Sequence, residues 1–318
     1  MLTLFSTPKP FRGHSRIIQR NALQSWKRLH GDAEVILFGE DEGTEEVCRE
    51  LGLRYEPQVL RTEHGTKRLD SIFGRAQEMA RHNILGYVNC DIILTHEFID
   101  ALQRLIAWRS RFLMVGCRWD TDVTEPLDFS HPEWQKKIID RAHSEGYRRF
   151  YHAIDYFVFH RGMYSQIPPL VIGRIWWDHW LVGKAHDSGA AVVDVSEVVC
   201  AVHQNHDYGY HPQGMAGVWQ DEEAQRNYEI AHQETRPRTI EDAKYRLTSD
   251  GIAANHFYWL APAKRRWRDI SRAVRGALRT RIWHPLLDAT RPIRHVLRLK
   301  RGSVPANLRS RGRRHWMD

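Results

Sequence analysis

The sequence predicts an α/β fold: a mostly parallel, Rossmann-like central sheet flanked by helices, with a helical extension toward the C-terminus. Three observations carry this. Short, largely apolar runs such as Ala33–Phe38 and Ile84–Val88 have the character of buried strands. They alternate with stretches whose apolar residues recur at helical spacing, and the connections between them are short. One of the runs ends in Asn89-Cys90-Asp91, a polar pair spaced i, i+2, followed at once by Ile92-Ile93-Leu94.

Taken in order, Leu2–Ser6 is a strand. The helix after it carries Ile18, Ala22, Trp26 and Leu29 on one face. Ala33–Phe38 is the second strand, closed by Gly39, and Glu40–Leu51 is a helix ended by Gly52. Asp70–Ala80 is a helix presenting Ile72, Phe73, Ala76 and Met79, and Ile84–Val88 is the third strand. The helix after Thr95 turns Phe98, Leu102, Leu105 and Ile106 inward, with Glu97 at its positive end. Phe112–Gly116 is a strand, and Arg118–Phe129 is a loop rich in acidic and aromatic residues. Ile154–Phe159 alternates like a strand. Gly173–Trp180 leads into a helix to about Ser188, Ala190–Val195 and Val198–Val202 are late strands, and the stretch from Gly217 to Tyr258 is helical, with Glu222–Ala231 and Ile240–Leu247 as its two pieces.

At 318 residues, 42% of them hydrophobic and 11% aromatic, the chain can bury an enzyme-sized core. No apolar run approaches the roughly 20 residues needed to span a bilayer. Four widely separated cysteines without a CxxC pair fit reduced thiols. The N-terminus has none of the marks of a secretory signal, so the expected location is cytoplasmic. The net charge of +8 is unevenly spread: Leu260–Asp318 holds 17 Lys/Arg against 3 Asp/Glu, and the remainder has 30 against 36. Trp267, Ile270, Val274, Leu278 and Ile282 form an apolar stripe in this basic segment. That pattern suits peripheral docking on the anionic inner face of a membrane, as well as a helix packed on the body, a solvated arm or a nucleic-acid-binding arm. The expected organisation is a catalytic-type domain over 1–215, a helical extension over 216–258 packed on it, and a basic amphipathic, partly disordered tail over 259–318.

The candidate functional residues sit at strand ends, where open α/β sheets place their ligands. A carboxylate at Asp91, between two apolar runs, is costly to bury unless it binds something. A divalent cation carrying a diphosphate is one such partner; capping the next helix is the plain alternative. Asp178, flanked by Trp176, Trp177 and Trp180, is either a first-turn helix acid or a functional carboxylate beside a sugar-sized apolar wall. His203 and His206 follow a strand and can be core histidines or ligands.

The ordered set Asn89-x-Asp91, Asp155…Gly162, Trp177-Asp178 and His203 resembles the GT-A-fold glycosyltransferases, which use nucleotide-diphosphate sugars as donors. The resemblance covers roughly residues 1–215, and it departs from the family's Asp-x-Asp pattern at Asn89. It implies a divalent metal, Mn²⁺ or Mg²⁺, with Asp91 and His203 as ligands and His206 as the neighbour. It also implies donor contacts from Thr7, Pro8, Lys9, Asp70, Ser71, Asn89 and Asp91, with Arg12, Lys67, Arg68 or Arg174 assisting at the phosphates. Asp178 takes the place of the catalytic base, and Trp119, Asp155, Trp177 and His206 lie on the acceptor side. The implied partners are a nucleotide sugar and a saccharide or lipid-linked acceptor; nucleic acid is not expected. Two alternatives stay open: a nucleotidyltransferase of similar sheet topology, which would ordinarily carry a Gly-rich loop after the first strand, and a non-catalytic carbohydrate or nucleic-acid binder.

Overall fold

The first strand already sets the two layers of the molecule. Leu2 and Leu4 enter the apolar cluster on one face of the sheet and Phe5 enters the cluster on the other, the period-two alternation of an extended chain. In the computed structural model, which describes residues 1–207, 214–256 and 258, the elements follow as β1 (Leu2–Ser6), α1 (Gly13–Lys27), β2 (Ala33–Phe38), α2 (Thr44–Leu51), β3 (Arg54–Glu56), α3 (Leu69–Met79), β4 (Ile84–Val88), β5 (Ile92–Ile93), α4 (His96–Trp108), β6 (Phe112–Val115) and β7 (Arg118–Thr121). Then come α5 (Trp134–Glu145), β8 (Tyr147–Arg148), β9 (Tyr156–His160), α6 (Trp177–Asp187), β10 (Ala191–Asp194), β11 (Ala201–Gln204), α7 (Gly214–Gln220), α8 (Glu222–Glu234), a 3-10 turn (Ile240–Asp242), β12 (Tyr245–Leu247) and β13 (Ile252–Ala254).

Among the described residues the main sheet has nine strands in the order β13-β12-β10-β6-β9-β4-β1-β2-β3. It is mostly parallel, as expected: β9 runs antiparallel between β4 and β6, and β13 antiparallel on the edge. One face is covered by Ala22, Leu23 and Trp26 of α1 and Phe98, Leu102 and Leu105 of α4. The other is an aromatic layer in which Phe5 meets Phe73 edge-on at 4.9 Å and Phe73 stacks on Phe159 at 5.8 Å. Such pairs add about 0.5–1.5 kcal/mol each beyond the area they bury.

A smaller sheet, β5-β11-β7-β8, stands at the carboxyl ends of β4 and β6, because β5 and β7 continue the chain just past those strands. It has its own cluster, with Ile93, Val123, Ile138, Ala142 and Val202 under α5. Gly146, which ends α5, allows the close approach. A Cβ there would stand 2.6 Å from Thr121 Oγ1 and 2.9 Å from the Asp120 carbonyl.

Several elements differ from the sequence expectation. The second helix begins at Thr44 rather than Glu40, because Gly43 takes the left-handed conformation (φ 81°) and Thr44 N–H closes a turn on the Asp41 carbonyl at 3.0 Å. Gly52 ends it as expected, at φ 63°. The Arg118–Phe129 loop starts as strand β7. The stretch expected to be helical over Ile240–Leu247 forms only a single 3-10 turn, held by the reciprocal Thr239–Asp242 capping box. Tyr245–Leu247 instead extends the main sheet beside β10, with Tyr245 against Trp108 at 4.9 Å. The segment after residue 216 is therefore helical in its first part and sheet-forming in its second. The basic tail lies outside the described residues. No described helix is long and apolar enough to cross a membrane.

Candidate active site

The small sheet assembles the site by register. β11 pairs parallel with β7, so His203 stands opposite Asp120; it pairs antiparallel with β5, so His203 also stands opposite Ile92, next to Asp91. The Asp91 carbonyl accepts from Gln204 N–H at 3.2 Å, tying the strand ends together. Asn205 N–H bonds the Thr121 carbonyl at 3.0 Å and delivers His206 to the same place.

Asp91, His203 and His206 are the one such group among the described residues, each offering a ligand atom within 4.8 Å of the others. His206 Nε2 lies 3.0 Å from Asp91 Oδ2, and Lys9 Nζ lies 3.0 Å from the same nitrogen and 3.9 Å from Asp91 Oδ2. The other ring nitrogen, Nδ1, faces the Asp207 carbonyl at 2.6 Å. A carbonyl only accepts. Nδ1 therefore carries a hydrogen; Nε2 donates one where it bonds the Asp91 carboxylate, which also only accepts, and would offer a lone pair to a cation bound in that place. Asp91 Oδ1 is buried with no hydrogen-bond partner among the described residues. An orphaned buried carboxylate oxygen beside two imidazoles is the donor set a divalent cation fits. Burial opposes ionisation of Asp91, but the His206 contact and the charges of His203 and Lys9 hold its carboxyl well below the usual range.

A second shell supports this cluster. Asp155 is buried and accepts from Asn89 Nδ2 at 2.5 Å and from Arg118 Nη1 at 2.7 Å. Arg118 Nε also donates to Asp120 Oδ1 at 2.8 Å, and Arg149 Nε to Asp120 Oδ2 at 2.6 Å. Asp120 Oδ1 in turn lies 3.1 Å from His203 Nδ1. Burial works against charge on Arg118, yet the carboxylates of Asp155 and Asp120 raise its pKa. Burial likewise resists the charge on Asp120, which His203, Arg118 and Arg149 hold low. A carboxylate behind a histidine ligand is a familiar way to fix ring orientation. Asp120, Arg118 and Arg149 were missed in the sequence. The available signal was a second polar i, i+2 pair, Arg118-x-Asp120, just past strand β6, mirroring Asn89-x-Asp91 past β4.

Asp178 lies in the first turn of α6. Its side chain is about 20% exposed, but Oδ1 is buried with no hydrogen-bond partner among the described residues. Desolvation pushes its pKa up; the nearby His179 and backbone amides pull the other way, and the Asp155 charge adds to the rise. The residue before the helix, Trp176, is held at φ 84°. It is the one non-glycine residue with positive φ among those described, the kind of local strain that collects at functional sites.

The other expected residues divide. Lys9 reaches the cluster, and Thr7 Oγ1 bonds the Phe38 carbonyl at 2.9 Å, joining the ends of β1 and β2. The Pro8 carbonyl accepts from the buried Lys67 ammonium at 2.7 Å, and Lys67 also pairs with Asp41. Arg12 pairs with Glu42, Arg68 with Asp70, and Arg174 with Asp221 and Glu223, so these expected phosphate cations are each engaged with carboxylates and Lys9 is the cation beside Asp91. Asp70 and Ser71 are not brought to the cluster. Asp70 holds Arg68 through both oxygens, Ser71 Oγ accepts from Leu60 N–H at 3.0 Å, and Asp70 lines a separate groove with Gln77, Arg161 and Tyr164. Trp119 is not brought there either. It sits between Arg118 and Asp120 on β7, so it projects to the opposite face and packs on His143 at 4.6 Å. Nor do Trp177 and Trp180 form an apolar wall beside Asp178. Both are buried in the aromatic layer, Trp177 against Tyr87 at 5.4 Å and Phe157 at 5.6 Å. Asn89 and Asp155 satisfy each other, which makes them positioning residues in this geometry.

No protein-family model matches the chain, and no curated protein matches it. Solved structures do resemble it. TarS (residues 1–349) of S. aureus in complex with UDP-GlcNAc aligns with a TM-score of 0.44 at 12% identity, over 65% of this chain and 59% of that one. Glucosyl-3-phosphoglycerate synthase from Mycobacterium tuberculosis, solved with Mg²⁺ and UDP, aligns at 0.42 and 13%, over 65% and 72%. A mannosyltransferase from Pyrobaculum calidifontis with GDP-Man and Mn²⁺ aligns at 0.43 and 13%, over 74% and 65%. The chain thus spans less than two thirds of the TarS fragment it resembles.

Proposed function

We propose that this chain is a metal-dependent glycosyltransferase that moves a sugar from a nucleotide-diphosphate donor to the hydroxyl of a saccharide or lipid-linked saccharide. The observation that carries this reading is the Asp91–His203–His206 cluster, with its orphaned carboxylate oxygen, at the carboxyl ends of the parallel strands. Asp91, His203 and His206 would hold a divalent ion there, and it would supply neutralisation of the charge on a departing diphosphate. One carboxylate and two imidazoles suit Mn²⁺ better than Mg²⁺, which prefers an all-oxygen shell.

This chain's own residues supply the rest. Lys9 adds positive charge on the same side as Asp91. Thr7 and Pro8, held by the ends of β2 and by Lys67, form the floor on which the nucleoside lies. Asp178, poised by desolvation to take a proton, accepts it from the acceptor hydroxyl as the hydroxyl oxygen bonds to the anomeric carbon and the bond from that carbon to the diphosphate breaks. With Asp178 as base the reaction is a single displacement with inversion. Docking of the basic tail on an anionic membrane would bring a lipid-linked acceptor to the site, and it belongs to the same proposal.

Calorimetric titration of the full chain with UDP, GDP and their sugars, with and without Mn²⁺, tests the reading. Metal-dependent binding of one nucleotide, weakened at least about 100-fold in Asp91→Ala, is expected. Absence of nucleotide binding under every condition overturns it.

A further inference from the structure

With Trp177 and Trp180 in the core, a different set of rings stands beside Asp178. Trp176 projects from the strained turn before α6. It meets His179 at 5.5 Å, Tyr228 at 5.3 Å and His232 at 4.9 Å between centroids, and Tyr228 and His232 lie over each other at 4.0 Å. Tyr228 and His232 are four residues apart on α8, so they share one face. Tyr228 is 41% exposed and His232 is exposed as well. Trp176 is half-buried against the aromatic layer, but Tyr228 and His232 carry the ridge on into solvent, where core packing does not account for them.

The polar atoms of this ridge are specific. His232 Nδ1 faces the Tyr228 carbonyl at 2.8 Å, so in the neutral ring it carries the hydrogen and Nε2 is left as an outward acceptor. His179 Nε2 lies 3.4 Å from the His152 carbonyl and 3.8 Å from Asp178 Oδ2, so its hydrogen belongs on Nε2 and Nδ1 is the acceptor. Ring faces that take C–H groups thus alternate with nitrogens that accept from hydroxyls. A lipid chain would use the rings and leave the nitrogens unsatisfied. A pyranose uses both, its axial C–H face on the rings and its equatorial hydroxyls on the nitrogens.

We propose that Trp176, Tyr228, His232 and His179 form the acceptor subsite and bind one pyranose ring of a saccharide so that a hydroxyl reaches Asp178. This rests on the proposed role of Asp178 as base, and it moves the acceptor contact from Trp119 and Trp177 to the α6–α8 ridge.

The test is saturation-transfer NMR on the full chain with methyl glycosides of glucose, galactose, mannose and N-acetylglucosamine, run beside the nucleotide titration with Mn²⁺. At least one glycoside is expected to receive saturation at its ring C–H positions. Tyr228→Ala and His232→Ala should each weaken its apparent affinity by about fivefold, and nucleotide binding should stay unchanged. Transfer that persists undiminished in the double variant, or no transfer to any of the four sugars, overturns the subsite. If sugar binding fails with nucleotide binding intact, only the subsite falls. If nucleotide binding fails while the sugar still binds at the ridge, the donor reading is the one lost.

Discussion

The two halves of the candidate site hold their carboxylates in opposite ways. Around Asp91 every buried acid is compensated: Asp91 by His206, His203 and Lys9, Asp155 by Asn89 and Arg118, Asp120 by Arg118, Arg149 and His203. Across the site Asp178, which like Asp91 has one buried oxygen without a hydrogen-bond partner among the described residues, is instead pushed toward its neutral form by desolvation. A network that keeps anions ionised is suited to gripping a cation and has little use for a proton. A desolvated carboxylate pushed toward its neutral form is suited to taking a proton and would be a poor anchor. On the proposed reading, the difference matches an electrostatic task for the first half and an acid–base task for the second.

The sharpest way to break this contrast is Asp178→Asn. Acceptor-dependent turnover should fall about 100- to 10,000-fold while nucleotide affinity is kept, as read by initial rates and calorimetry. The stability sign runs against the activity. Because the folded state raises the Asp178 pKa, its favourable contribution is full below the unfolded carboxylate pKa and is lost as pH rises through the folded value. At pH 7 the Asn variant should melt higher than wild type, and the gap should close as pH falls. In wild type, turnover should drop on the acid side as Asp178 protonates. Equal turnover in the variant would remove the acid–base role.

The compensated half breaks differently. Arg118→Ala leaves Asp155 and Asp120 without their shared guanidinium and should cost about 3–5 kcal/mol in urea denaturation. A smaller and more diagnostic effect is expected of Asn89→Asp, which restores a two-aspartate motif. The Asn89 amide donates to Asp155 at 2.5 Å, so a carboxylate at 89 would face another carboxylate. Its cost should be about 1–3 kcal/mol at pH 7. The cost should shrink as pH falls, because the paired acids take up a shared proton with a raised pKa. Adding Asp155→Asn should recover part of the loss. If Asn89→Asp proves neutral at pH 7, the explanation of the asparagine by its partner fails. This partner, distant in sequence, accounts for an amide rather than a carboxylate at position 89.

Much of the fold was legible locally. The buried strands are largely apolar runs, and β1, β2 and β4 match the residues expected. Gly52 ends α2 through a conformation open to glycine at little cost. Asp91 could be singled out because a charge at the end of an apolar strand is conspicuous in one dimension. Asp120 could not, because its importance comes from standing opposite His203 across a strand pair far apart in sequence. The same limit produced the misplaced residues. Three tryptophans around Asp178 looked like one wall in the sequence, but the helical turn sends Trp177 and Trp180 into the aromatic layer and leaves Trp176 with Tyr228 and His232. Trp119 and Asp120 are neighbours in the chain and on opposite faces of the strand.

The sequence by itself determined the strands β1, β2 and β4 and the helices α1, α3 and α4, and it singled out the polar residues at the end of β4, because hydrophobic periodicity and punctuating glycines act over a few residues. The tertiary structure decided that His206 lies against Asp91, that Asn89 serves Asp155, and that Trp176 stands beside Tyr228 and His232 while Trp177 and Trp180 are buried. Those outcomes depend on strand register and helix rotation, and the contacts that set register and rotation join residues many tens of positions apart.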